Sequence, residues 1–404
     1  AVVLRMWCSL KNWLKVFKLV YVFFSYFYFI FLYYKMDNML YHSAVPEATQ
    51  ATYGEFNNVD FVLNVGPGRS LMRNSVRLNG NVLVTSDGTT RSAGGVYMDY
   101  AIGIHSVVES CQVTFASSGM KENIQNYARW TKMGAIGTLY EDDYNNASQQ
   151  VELRAVNEVC AALLAQGEVT LGTTPQTQDM DFAMKPNCIL NKMSGDHLPV
   201  EKSGEIRLTL NLARNMSALM GDNQGSGATY ALSNLHVSYH SVPTQGDPMS
   251  KKTTMRSVYN IKSTILSGTA NISAQVPALV DSVSCSFQRQ NEENVNVFNN
   301  YACNMVQGIR RLQFEFNDST NKYVAYNEND LTAMIQRYIE SFDNTGHQQM
   351  KLDTFRANNG FGIGQKFAGF VDLSNQRFGV QLTSDINNTK PMNIYLYFHS
   401  IVEA

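Results

Sequence analysis

"NLHVSYHSV" at residues 234–242 and "NIYLYFHSI" at residues 393–401 are two versions of one short pattern in this chain of 404 residues. Asparagine, histidine and serine recur at matching positions, and most of the other replacements are conservative. Apolar residues recur at every second position in both copies, which is typical of a strand with one buried face. The alternation predicts that Val237 in the first copy and its match Leu396 in the second both lie in a hydrophobic core.

The same order of elements precedes this pattern in both halves of the chain. Helical spacing comes first, then strictly alternating strands such as "EIRLTLNL" (205–212) and "RFGVQL" (377–382), then the repeated strand. The helical spacing predicts helices over 120–133, 149–167 and 329–342. The chain therefore indicates two related units in tandem.

The rest of the chain is dominated by short alternating segments separated by turn residues. "VDFVLNV" (59–65), "VSCSF" (283–287) and "LQFEF" (312–316) have the period of two, whereas "GPG" (66–68) and "LNGN" (78–81) are typical of turns. Many short strands with frequent turns favour a β-sandwich or barrel. The predicted fold class is all-β with a few flanking helices, arranged as two tandem eight-stranded jelly rolls.

The predicted domain boundaries follow from the repeat and from composition. An N-terminal arm is expected at 36–56, the first jelly roll at 57–242 and the second at 257–404. The segment 243–256, which contains two prolines and a polar run, is predicted to be a linker.

Residues 1–35 form a hydrophobic segment that we do not expect to be part of the fold. Positions 19–34 are uncharged and contain ten aromatic residues. Sixteen uncharged residues are fewer than the ~20 that span a bilayer. Upstream translation is the favoured explanation, with Met36 or Met39 as the true start; a membrane-facing arm and a targeting segment are the alternatives.

Charge and cysteine content exclude several classes of protein. Residues 1–35 contain five of the 32 basic residues and no acidic residue. In the rest of the chain the 34 acidic residues therefore outnumber the basic ones. An acidic body is poorly suited to tight nucleic-acid binding. The six cysteines form no C-x-x-C pair, which argues against a zinc ribbon or a disulfide scaffold and favours reduced thiols.

Two tandem jelly rolls, each with a helix ahead of its last strands, resemble the double jelly-roll major capsid proteins of icosahedral DNA viruses, the lineage of tectiviruses and adenoviruses. The stretch "FVLNVGPGRSLMRNSVRLNGNVLV" (61–84) is similar to the first strands of that family, in which a strand runs through an Arg-x-Asn-Gly turn into the next. The resemblance covers roughly residues 55–404 and is architectural.

The resemblance implies a structural protein of the virion capsid, assembled inside the host cell and not an enzyme. It implies a homotrimer whose six rolls form a pseudo-hexagonal capsomer. The implied partners are copies of the chain, neighbouring capsomers, vertex and minor capsid proteins, and an internal membrane reached through the N-terminal arm. The alternative is a trimeric receptor-binding or carbohydrate-binding β-sandwich protein, and a carbohydrate-active enzyme on a sandwich scaffold is the third hypothesis.

The histidines of the repeat are the first candidates for chemistry. His236 and His240 lie four residues apart but lack the H-E-x-x-H pattern of a zinc protease. His240 and His399 recur with the repeat and could form a metal site or a proton-linked switch. We favour a hydrogen-bonded interface or surface histidine at both positions, because no carboxylate or cysteine lies near them in the sequence.

Two further segments are candidate binding sites. Glu141, Asp142 and Asp143 could bind calcium, but the spaced ligand loop is absent and a solvated turn is favoured. "GFGIGQK" (360–366) does not match a phosphate-binding loop, and its glycines favour a tight loop or bulge. The sequence thus predicts no catalytic, cofactor-binding or metal-binding residues and no cofactor.

Overall fold

The computed structural model describes most of the chain from residue 38 onward. The described residues are 38–85, 96–138, 147–155, 177–195, 197–221, 228–250, 252–276, 279–293, 301, 309–316, 321–327, 331–342, 362–373, 377–385 and 391–403. The predicted hydrophobic segment 1–35 lies outside them.

Strands dominate both halves. Those of the first half are β1 (Leu40–Ala44), β2 (Asn58–Leu63), β3 (Arg69–Leu71), β4 (Arg77–Thr85), β5 (Val96–Tyr97), β6 (Val108–Phe115), β7 (Lys121–Gln125), β8 (Thr177–Met184), β9 (Met193–Gly195), β10 (Leu198–Pro199), β11 (Ile206–Leu212), β12 (Met220–Gly221) and β13 (Thr229–Pro243). Those of the second half are β14 (Thr253–Ile265), β15 (Thr269–Gln275), β16 (Leu279–Arg289), β17 (Ile309–Phe316), β18 (Asn321–Asn327), β19 (Ile363–Asp372), β20 (Arg377–Ser384) and β21 (Met392–Glu403).

Helices are few and short among the described residues. The α-helices are α1 (Tyr127–Thr138), α2 (Ala147–Gln150), α3 (Val200–Ser203), α4 (Asn215–Ala218) and α5 (Leu331–Ser341). Single 3₁₀ turns occupy Gly103–Val107, Ile189–Asn191, Pro248–Ser250 and Gln290–Glu292. No helix in the described ranges has the length and apolarity needed to cross a membrane.

The two halves have the same sheet topology. In the second half one sheet has the order β14-β21-β16-β19 and the other β15-β20-β17-β18. Counted along the chain, these are strands 1-8-3-6 and 2-7-4-5 of an eight-stranded unit. All the pairs are antiparallel, and this order is that of a jelly roll.

The first half repeats this order with β1, β2, β4, β6, β7, β8, β11 and β13 as its eight strands. Its sheets are β1-β13-β4-β8 and β2-β11-β6-β7, with β3 and β10 as additions. Ser238 of β13 pairs with both Ser43 of β1 and Arg77 of β4, which places β1 and β4 on opposite sides of β13. The prediction of two tandem jelly rolls is therefore confirmed.

The repeated pattern occupies the eighth strand of each roll, as its sequence similarity suggested. Val237 in β13 and Leu396 in β21 are both fully buried, as predicted. The copies differ on the opposite face, because β13 leaves His236 and His240 partly exposed whereas β21 is buried on both faces from Met392 to Ser400.

The predicted turn at 78–81 is wrong, because Leu78–Asn81 lie inside β4. Gly80, the glycine of this segment, allows the close approach of a neighbouring strand instead of a turn. The facing strand β13 bulges at Asn234, which has a φ of 52°. A Cβ atom on Gly80 would lie 2.9 Å from the backbone oxygen of Ser233, so a larger residue would not fit opposite the bulge.

Two of the predicted helices need correction. Residues 121–125 of the predicted helix 120–133 form β7, with Glu122 and Ile124 buried and their neighbours exposed, and helix α1 begins only at Tyr127. The predicted helix 149–167 is helical only to Gln150 and turns at Leu153, whereas 156–167 lie outside the described residues. The prediction over 329–342 is confirmed by α5 for residues 331–341.

Element bounds also differ from the predicted domain limits. β1 lies within the predicted arm 36–56 and pairs with β13, so it is the first strand of the roll rather than part of an arm. β14 begins at Thr253, inside the predicted linker 243–256. In both places the exposed face of the strand carries polar residues, so the composition of the segment resembles that of a loop.

Candidate functional site

The junction between the two rolls is built from backbone pairing as well as side chains. β9, from the first half of the chain, pairs with β14 and extends a sheet of the second roll. The pairing joins Met193 to Met255, and the backbone N–H of Arg256 donates a 3.1 Å hydrogen bond to the Lys192 carbonyl. The two rolls therefore share one sheet.

A buried carboxylate joins the same segments. Glu122 is 2% exposed, and its Oε2 accepts a 2.7 Å hydrogen bond from the backbone N–H of Ile189. Its Oε1 accepts a 3.0 Å bond from the N–H of Val258 on β14. Burial raises the pKa of Glu122, and the nearby Lys192 opposes this rise.

Tyrosine hydroxyls supply further polar contacts across the junction. Tyr338 of α5 donates a 3.0 Å hydrogen bond to the Met133 carbonyl in α1. Tyr397 of β21 donates a 3.2 Å bond to the carbonyl of Asn126. Each ring is fully buried, so the contacts combine apolar packing with a satisfied hydroxyl.

A cavity of about 490 Å³ lies at this junction. The first roll lines it with Trp130 of α1, with residues of the segment 185–192 and with Glu152 and Arg154. The second roll contributes residues 256–258 of β14 and two aromatic rings near α5 and β21. Because both rolls form its walls, a ligand in this cavity would contact both.

One ionic pair lies on the cavity wall. Arg154 Nε lies 2.9 Å from Glu152 Oε2, and the backbone N–H of Lys185 donates a 3.0 Å bond to Glu152 Oε1. Burial alone would raise the pKa of Glu152, but hydrogen bonding from His105 and the charge of Arg154 lower it to about 2. This carboxylate therefore stays ionised at neutral pH.

The lysines of the cavity are less well compensated. Lys192 Nζ lies 3.3 Å from the centroid of the Trp130 ring, a cation–π contact. Burial, together with the neighbouring Arg256, lowers the pKa of Lys192 to about 7, although Glu122 opposes the shift. Burial and Arg77 also lower the pKa of Lys185. Positive charge in this cavity is thus energetically unfavourable.

His399 shows the same positive environment. It is 5% exposed, hydrogen-bonds Ser284 Oγ at 3.0 Å, and packs edge-on against the rings of Trp130 and Phe342. Burial, followed by the charges of Lys192 and Arg256, lowers its pKa to about 3. This histidine is neutral at physiological pH.

The histidines and glycines weighed in the sequence do not come together. His236 and His240 lie on β13 of the first roll, away from His399 at the junction. Gly362 and Gly364 of the glycine-rich segment lie beneath α5, against Tyr338. Glu141, Asp142 and Asp143 lie outside the described residues.

Within the described part of the chain no group of histidine, cysteine and carboxylate side chains could hold a metal ion. The described cysteines, Cys111, Cys188 and Cys285, are free and buried. Sequence reasoning missed Glu122, Trp130 and Lys192, because no local motif marks them and only the fold brings them together.

No protein-family model and no curated protein sequence matches the chain. Its structure is similar to that of the Faustovirus major capsid protein, with a TM-score of 0.58 and 9% identity over 90% of each chain. The PBCV-1 virus capsid gives a TM-score of 0.56 and 11% identity over 91% of this chain and 94% of that one.

The mavirus major capsid protein is also similar, with a TM-score of 0.53 and 8% identity over 90% of each chain. The similarity in each case spans both rolls rather than one. The strand order of the two rolls, the sheet they share and these likenesses together show that this chain has the double jelly-roll fold seen in viral major capsid proteins.

Proposed function

We propose that this chain is a structural major capsid protein that trimerises into pseudo-hexagonal capsomers of an icosahedral virus shell. The observation that carries the proposal is the repetition of one eight-stranded topology twice in a single chain. Solved structures that match this fold over 90% of each chain are named as major capsid proteins. The proposed location is the virion, after assembly inside the host cell.

The geometry supports this function through symmetry. Three copies of a chain with two similar rolls present six similar units, which approximates a hexagon while closing with three-fold symmetry. Such a tile needs the two rolls of each chain to keep a fixed relation. The shared sheet and the buried Glu122 at the junction provide that rigidity.

Contacts between copies need apolar surface that a monomer would leave in water. Permanent interfaces are large and more apolar than the ordinary protein surface. The described surface carries large exposed apolar side chains that could be covered in this way. Among them are Tyr41, Val45, Phe56, Met249 and Phe370.

The proposed partners are other copies of the chain, then neighbouring capsomers, then vertex and minor capsid proteins. Contact with an internal membrane is proposed for the N-terminal region that precedes β1. The proposed role is mechanical and needs no enzymatic step, cofactor or tight binding of nucleic acid. The acidic body of the chain suits a shell that encloses a genome without holding it tightly.

The test is the mass and outline of the purified full chain. Multi-angle light scattering over a concentration series should give three chain masses, and negative-stain images of the same fraction should show six-sided particles. A stable monomer across the series would overturn the proposal. Trimers with an elongated, fibre-like outline would also overturn it and would favour the receptor-binding alternative.

A further inference from the structure

The cavity between the rolls carries more basic than acidic side chains. Arg154, Lys185, Lys192 and Arg256 line it, against the single carboxylate of Glu152. Most of this charge lies on the segment 185–192 and on β14, which face each other across the junction. The excess is therefore a property of the assembled pair of rolls.

The two arginines have carboxylate partners. Arg154 pairs with Glu152, and Arg256 donates to Asp281 Oδ2 at 2.8 Å. Lys185 and Lys192 differ, because among the described residues neither ammonium group has a carboxylate within ion-pair distance. A half-buried ammonium that forms no direct ion pair is only partly compensated for its lost hydration, and for Lys192 the compensation is the more distant charge of Glu122 and the ring of Trp130.

An unsatisfied hydrogen-bond donor lies on the same wall. Trp130 is 4% exposed, and its indole N–H has no acceptor among the described residues. Buried polar groups in folded proteins normally have partners in the protein, in water or in a ligand.

We propose that the cavity between the rolls binds a small multivalent oxyanion, held by Lys185, Lys192 and Arg256. The anion supplies the direct ionic partner that neither lysine has among the described residues and joins the first roll to the second. The cavity is large enough for an anion of the size of pyrophosphate or citrate. The carboxylate of Glu152 does not prevent this, because the guanidinium of Arg154, 2.9 Å away, neutralises it.

This site is independent of the proposed capsid role, because all its walls belong to one chain. A protein that binds the anion but stays monomeric would support the anion site and contradict the capsid proposal. A protein that forms trimers but does not bind the anion would support the capsid proposal and contradict the anion site. The two proposals therefore fail separately.

The test is ligand-dependent stability of the full chain. Thermal unfolding is followed with pyrophosphate, with citrate and with sodium chloride at matched ionic strength, and dissociation constants are measured by calorimetry. The melting temperature should rise with the logarithm of pyrophosphate or citrate concentration and should not rise with chloride. A response to pyrophosphate alone would identify phosphate-bearing ligands, and a response to both would identify oxyanions in general.

Substitutions localise the effect. Lys192→Met and Lys185→Met each remove one charge while keeping side-chain length, and each should weaken binding by about tenfold or more. Lys252→Met is the matched control, because Lys252 immediately precedes β14 and its side chain is 82% exposed. The affinity of this variant for the oxyanion should be unchanged.

Two results would overturn the proposal. One is a wild-type protein whose stability responds equally to chloride and to the oxyanions. The other is binding by both Lys192→Met and Lys185→Met with wild-type affinity. Circular dichroism of each variant without ligand establishes that it is folded, and the second variant keeps the test decisive if the first is not.

Discussion

The carboxylate of Glu122 in the first roll accepts a 3.0 Å hydrogen bond from the backbone N–H of Val258 in the second roll. The same side chain accepts a bond from Ile189, so one residue fixes β7, β14 and the connection before β9. Both N–H groups depend on this carboxylate. The relative placement of the rolls thus rests partly on a single buried charge.

Glu122→Ala should therefore lower the free energy of unfolding by about 3 kcal/mol, because it leaves two buried N–H groups without an acceptor and removes a negative charge that stabilises the Lys192 ammonium. Denaturant unfolding monitored by tryptophan fluorescence would measure the change.

Glu47→Ala is the control for that substitution. Glu47 forms a 2.8 Å ion pair with Arg207, but each side chain is 44% exposed. Exposed pairs contribute less than about 1 kcal/mol. Equal effects of the two substitutions would contradict a structural role for Glu122.

The repeated strands should tolerate no charge on their core face. Val237→Asp and Leu396→Asp each place a carboxylate at a position that is 0% exposed, at a cost of about 4 kcal/mol or more. Thermal unfolding should show loss of one roll or of the whole fold. Thr229→Asp, at an exposed position of β13, should keep the wild-type melting temperature. Wild-type stability in either core variant would remove the strand assignment.

The glycines beneath α5 should be needed for close packing. A Cβ atom on Gly364 would lie 2.9 Å from Cα of Tyr338 and 2.7 Å from Cβ of Ser341. Gly364→Ala should therefore destabilise the protein by about 1–3 kcal/mol. Gly369→Ala on the same strand has no atom within 4 Å and should be nearly neutral. Chemical denaturation of both variants checks this difference, which would vanish if α5 did not pack on β19.

His399 should make the protein sensitive to acid. Its pKa is about 3 in the folded protein and 6.5 in an ordinary setting, so the unfolded chain binds more protons between these values. The contribution of His399 to the free energy of unfolding is therefore fully present above pH 6.5 and falls as the pH decreases toward 3. This residue alone should lower the free energy of unfolding by about 3 kcal/mol at pH 4.

His399→Gln should reduce the loss of stability between pH 7 and pH 4, measured as the shift in denaturant midpoint. His240→Gln provides the control, because His240 holds the matching place in the first copy but is partly exposed. Identical pH dependence of the wild type and His399→Gln would show that His399 does not sense pH.

The architecture could be predicted because local patterns encode it. Strand alternation depends on side chains two residues apart, and the last strands of the two rolls kept enough similarity to reveal the repeat. Helix α5 was predictable for the same reason, since Met334 and Tyr338 lie on one buried stripe. These features need no knowledge of distant partners.

The errors occurred where a distant partner determines the structure. Glu122 looks like an exposed helical residue until Val258 is known to donate to its carboxylate. Gly80 follows an asparagine, as in many turns, yet it serves the bulge at Asn234 across the sheet. The cavity could not be predicted, because Trp130, Lys192 and Arg256 belong to different elements and share no motif.

β9 has a consequence for how the chain reaches its native state on the ribosome. This strand leaves the exit tunnel before its partner β14 has been synthesised, so its edge must stay unpaired while the rest of the first roll folds. A nascent first roll therefore displays an open strand edge until the second roll docks. Neighbouring nascent chains could capture that edge, so synthesis on crowded polysomes would favour exchange of this strand between chains.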